Sequence, residues 1–142
     1  MKIIGFNFKK ISIERKKDLQ GKLEVKSNLD IKEIEKEKID IAGEVLRLDF
    51  SYGIKYEPGF AEILFEGHIL IIPEDIKQIL KDWKKKKIED KSRVPLFNFI
   101  MSKCNVKALQ LEEEFALPFH IPLPKLSNQQ QQGQSEQANY TG

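Results

Sequence analysis

The sequence predicts an α+β protein: a four-stranded antiparallel β-meander followed by two helices, the second long and suited to a subunit interface. Three observations carry this. Apolar residues in the first half recur at every second position, the signature of half-buried strands. The strand runs are joined by short links, which favours antiparallel neighbours with one face covered. At Pro73 the period changes to that of a helix.

In the first strand, Ile4, Phe6 and Phe8 alternate with polar partners, and Ile11 and Ile13 continue one position out of phase. A bulge at Lys9–Lys10 accounts for the slip, because one extra residue inverts the sides. After a polar loop from Arg15 to Gly21, Leu23, Val25, Leu29 and Ile31 make a second strand. The third is the clearest, with Leu46, Leu48, Phe50, Tyr52, Ile54 and Tyr56 on one face and Arg47, Asp49, Ser51, Gly53 and Lys55 on the other. Pro58–Gly59 supplies a turn, since proline presets φ and glycine accepts positive φ. Ala61, Ile63, Phe65, Ile69 and Ile71 form the inner face of the fourth strand.

Pro73, Glu74 and Asp75 suit a first helical turn, and Ile76, Ile79, Leu80 and Trp83 follow as one stripe. A second helix is expected from Ser92, with Pro95 in its first turn and a stripe of Phe97, Ile100, Met101, Cys104, Ala108, Leu111 and Phe115. At about 22 residues it would be about 33 Å long, more than the sheet of one chain is expected to cover. Pro118 closes it, and Leu117, Phe119, Ile121 and Leu123 alternate with Pro118, His120, Pro122 and Pro124 in an extended segment. Residues 1–126 are thus read as one domain. Residues 127–142, with glutamines from Gln129 to Gln132, lack the apolar content to order themselves and read as a disordered tail.

Composition narrows the function. The chain has 142 residues, 40% of them apolar, enough for one core, and its net charge of +2 predicts no strong attraction to a polyanion. One cysteine rules out an internal disulfide and a cysteine-cluster metal site. No apolar run approaches the roughly 18–20 residues of a membrane span, and the first ten residues lack a signal-peptide pattern, so the expected location is cytoplasmic.

No constellation points to catalysis or to a cofactor. His68 and His120 have no carboxylate or second histidine at ligand spacing, Glu62, Glu66 and Glu112 to Glu114 read as solvent-facing charge, and Cys104 reads as a buried, inert thiol. The glycines make no phosphate-loop spacing. Lys84, Lys85, Lys86 and Lys87 beside Trp83 could contact phosphate, but a charge block at a helix C-terminus is more often a solvated end. Surplus apolar surface remains. Phe60, Leu64, Leu70 and Ile72 are read on the outer side of the fourth strand, and Phe119, Ile121 and Leu123 on the proline segment. Such patches mark association or ligand grooves.

The order of these parts resembles the SecB-type export chaperone fold. The stretch from Gly43 to Ile72 looks like its two central strands, and that from Leu96 to Leu126 is similar to its long helix followed by an apolar, proline-containing segment. Pro118 to Pro124 also resembles the ending of a group of short archaeal proteins. The resemblance implies ATP-independent holding of unfolded polypeptide in apolar grooves, a dimer or dimer of dimers, and no enzyme activity. Phe60, Leu64, Leu70, Phe119, Ile121 and Leu123 would line the groove, and Phe97, Ile100, Met101 and Cys104 would form the subunit interface. The family is acidic where this chain is slightly basic, and its last helix is replaced here by the Gln-rich tail. The competing reading is a structural or adaptor subunit of a larger complex, such as a ribonucleoprotein, that uses Lys84–Lys87.

Overall fold

A computed structural model describes residues 1–126; the Gln-rich segment lies outside the described residues. Four strands, β1 (Lys2–Arg15), β2 (Glu24–Ile39), β3 (Gly43–Glu57) and β4 (Ala61–Ile72), precede two helices, α1 (Ile76–Trp83) and α2 (Asp90–Glu114). The α+β class and the antiparallel sheet are as the periodicity predicts.

The sheet order is β1-β4-β3-β2. β2, β3 and β4 form a meander, whereas β1 lies beside β4 rather than β2, so residues 16–23 must cross one end of the sheet, about 14 Å. This crossing corrects one expectation about Phe60. Lys16 and Lys17 donate their backbone N–H groups to the Phe60 carbonyl, and the Lys17 ammonium sits 4.8 Å from the Phe60 ring centroid. Covered in this way, Phe60 is 5% exposed and belongs to the core.

Period two sorts the faces correctly. Leu46, Leu48, Tyr52, Ile54 and Tyr56 of β3 stand opposite Ile71, Ile69, Phe65, Ile63 and Ala61 of β4, all buried. The β1 register slips between Phe8 and Lys10, the predicted bulge, and slips again between Ile3 and Gly5. The second slip leaves Ile4 exposed where the alternation had placed it inside. β2 runs eight residues past Ile31, because its slip between Ile31 and Glu33 returns Ile34 to the core among charged neighbours that mask the period. Gly67 faces Phe50 across the pair, and a Cβ there would lie 2.2 Å from the Asn7 carbonyl oxygen, so only glycine lets β1 and β4 approach.

The helices start slightly differently from the prediction. Asp75 is the N-cap of α1, its carboxylate accepting from the Gln78 amide at 3.1 Å, so Pro73 and Glu74 precede the helix. α2 begins at Asp90 and runs 25 residues, about 37 Å. Its buried residues, Leu96, Ile100, Cys104, Ala108 and Glu112, recur every four positions from end to end. Strands of 12 to 16 residues are long enough to cover the whole helix, contrary to expectation.

Candidate functional site

α2 presents three further faces. Asn98, Ser102, Val106 and Gln110 point to solvent. On one flank Phe99 meets Phe6 of β1 edge-on at 5.9 Å. On the other flank Phe97, Met101, Asn105 and Leu109 are half-buried, and this side faces β2 and β3.

The chain returns along that second flank. α2 ends in a Schellman motif: the Leu117 amide donates to the Glu112 carbonyl and the Ala116 amide to the Glu113 carbonyl, with Ala116 left-handed at φ 53°. Two carbonyls left over at this end, of Phe115 and Ala116, accept from the Arg15 guanidinium at 2.8 and 3.2 Å. A cation from β1 thus meets the negative end of the helix dipole.

Reversal at Ala116 carries Pro118 under Tyr56, whose hydroxyl donates to the Pro118 carbonyl. It also delivers His120 to Glu112. The Glu112 Oε1 accepts from the His120 backbone amide at 3.1 Å and lies 3.0 Å from Nδ1, while Oε2 is 2.7 Å from Nδ1 but has no aligned hydrogen bond. On the far side of the ring, Nε2 is 2.8 Å from Asn105 Oδ1, which also accepts from the Tyr52 hydroxyl at 3.0 Å. The Glu112 side chain is 0% exposed and that of His120 1%. Glu112 is therefore not the solvent-facing charge that its Glu-rich neighbourhood predicts, and His120 has a carboxylate partner after all. Burial raises the pKa of Tyr52 and Tyr56, with the nearby Glu112 charge adding to both. Burial alone pushes the Cys104 thiol up to about 12, consistent with an inert thiol.

Beyond this buried clasp the strip is open: Phe119 is 41% and Leu123 44% exposed. Further along the same flank, towards the start of α2, a groove of about 410 Å³ lies between α2, β2 and the end of α1. Its floor is Leu29, Ile31, Trp83, Ile88 and Phe97, and its rim carries Lys32, Lys86 and Arg93 against one acid, Asp30. Trp83 packs against the core with its indole Nε1–H 3.4 Å from Glu33 Oε1, and Lys86 sits 4.5 Å from its ring centroid. No group of metal-ligating side chains is found among the described residues, and no helix there is long and apolar enough to cross a membrane.

No protein-family model matches the sequence, and no match to it is found among curated proteins. The three-dimensional arrangement does have a counterpart. It is similar to the Mycobacterium tuberculosis SecB-like chaperone Rv1957, solved in complex with a ChAD peptide from the HigA1 antitoxin. The TM-score is 0.51 at 17% identity, over 89% of this chain and 90% of that one. The chain has the SecB-like fold.

Within the SecB-like fold, the residues proposed from sequence fall into separate groups. Leu64 and Leu70 lie on the outer face of the sheet, opposite Gly53 and Arg47 of β3. Phe119, Ile121 and Leu123 follow a segment tied to Tyr56 on the inner face. The expected six-residue groove is therefore not one surface, and Phe60 is in the core. Ile100 and Cys104 are fully buried against the sheet of their own chain, which removes them from a subunit interface; Phe97 and Met101 remain half-buried on the flank. Lys84, Lys85, Lys86 and Lys87 are exposed. Sequence reading missed the groove because Trp83 fits the apolar stripe of α1 and reads as core. The one available signal was the Ile76–Trp83 stripe ending in four lysines, which marks where a helix face meets solvent.

Proposed function

We propose that this protein is a chaperone-type binding protein, not an enzyme, that holds unfolded polypeptide without ATP. The observation that carries the reading is the half-buried flank of α2. Phe97 and Met101, the groove floor of Leu29, Ile31 and Trp83, and the exposed Phe119 and Leu123 leave apolar surface along one side of the helix. Such surface is stabilised by covering it, at about 25 cal/mol per Å² and with little sequence selectivity. The fold shared with a chaperone seen bound to a peptide supports the same reading. A client would lie extended along the flank, with Phe119, Ile121 and Leu123 at one end of its path.

Self-association belongs to this proposal, as a dimer or dimer of dimers. The outer face of α2 is mostly polar, so it is a poor contact; the free edge of β1, with Ile4 and Ile11 exposed, offers unpaired backbone and apolar side chains together. The outer-face pair Leu64 and Leu70 remains a secondary client contact. Light scattering of a chemically denatured client, diluted with and without stoichiometric protein, tests the function. Suppressed aggregation is expected, and unaltered scattering refutes it. The native mass in solution tests the assembly, which a strict monomer would exclude.

A further inference from the structure

We propose that the groove between α1, β2 and α2 selects peptide segments in which an apolar side chain is flanked by acidic residues. The inference rests on the client-binding reading and gives it a chemical preference that burial alone would not supply.

The groove has two parts with different chemistry. Its floor takes an aliphatic or aromatic side chain against Trp83, Phe97 and Leu29. Its rim is cationic, and the cations are not equally occupied. Lys32 is 3.7 Å from Asp30, and Arg93 is 2.7 Å from Asp90. Lys86 has no carboxylate partner among the described residues and lies over the Trp83 ring, at the mouth of the groove. Behind it Lys84, Lys85 and Lys87 also lack carboxylate partners among the described residues, so the positive field continues past the rim.

The backbone at Lys86 adds a second observation. The Lys86 amide donates to the Trp83 carbonyl and the Lys87 amide to the Asp82 carbonyl, a Schellman ending with Lys86 left-handed at φ 56°. Glycine adopts that conformation without strain, and a lysine does not. Strain kept at the mouth of a groove fits a residue retained for its side chain. A carboxylate bound beside the apolar anchor would draw on Lys86 and on Arg93, which is 6.0 Å from the Phe97 ring. Nucleic acid fits less well, because the floor is aliphatic as well as aromatic and Asp30 stands on the rim.

Trp83 is the one tryptophan of the chain, so its fluorescence reports occupancy directly. Two tryptophan-free peptides of equal length, a Leu-Phe core flanked by glutamates or by lysines, are titrated into the full chain at low salt. The acidic peptide is expected to bind about tenfold more tightly, the sum of two partly exposed charge contacts, with the gap narrowing as salt rises. The double variant Lys86→Glu, Arg93→Glu is expected to reverse the order. Equal affinities with a Trp83 response would overturn the inference while leaving client binding intact. No Trp83 response from a chain that still suppresses client aggregation would place clients elsewhere and also overturn it. Loss of both signals would end the client reading itself. A single-stranded oligonucleotide that shifts Trp83 at lower concentration than the acidic peptide would assign the groove to nucleic acid instead.

Discussion

Glu112→Ala should cost about 3–5 kcal/mol, because two buried groups of His120, its backbone amide and its ring Nδ1, lose the carboxylate they share. The figure follows from what the carboxylate holds. Its Oε1 is the acceptor for the His120 backbone amide, which nothing else in the sealed site replaces, and an unmet buried N–H costs about 1–3 kcal/mol. The rest comes from the imidazole, whose Nδ1 loses both carboxylate oxygens at 1% exposure. Glu112→Gln keeps an acceptor and the volume, and should cost less than half as much. Urea unfolding followed by far-UV circular dichroism measures the loss, and the cycle with His120→Ala should give a coupling of about 2 kcal/mol. The clasp joins only residues 118–124 to the body, so part of the cost can appear as local release. Hydrogen exchange at the His120 amide separates the two cases. A loss below about 1 kcal/mol with unchanged exchange at that amide, or additive single variants, would refute the account of the clasp.

Three further outcomes follow from the same chain end and core. Ala116→Gly should stabilise the fold by about 0.5–1 kcal/mol, because it relieves a left-handed alanine and loses part of that gain to unfolded-chain entropy; a lower urea midpoint would contradict the φ of 53°. The raised Cys104, Tyr52 and Tyr56 favour the neutral form in the folded chain. Their contribution is complete below the unfolded values of 9.0 and 10.0 and is lost as pH rises through the folded ones. Stability should therefore fall from about pH 9 upward, Cys104 alone accounting for ~2–3 kcal/mol by pH 11. A flat stability profile from pH 8 to 11 would refute this, and native Cys104 should resist thiol reagents until the chain unfolds.

Periodicity was enough to place the inner and outer sides of β3 and β4, to locate the bulge near Lys9, and to show where strands give way to helices. It did so because a strand shows its alternation locally, within a few residues. Charged neighbours hid the outer half of β2 from the same test. What the tertiary structure decided is which surfaces meet. Alternation does not say that β1 lies beside β4, and with that pairing comes the crossing segment that buries Phe60. Nor does it show that a left-handed Ala116 turns the chain back, so that His120 seals against a glutamate eight residues earlier which otherwise looks like surface charge. The same is true of the groove: Trp83, Lys86 and Phe97 are ordinary helix residues in sequence, and they become a site only because α1, α2 and β2 leave a gap between them. Local pattern fixes which way a side chain points, and only packing fixes what it meets.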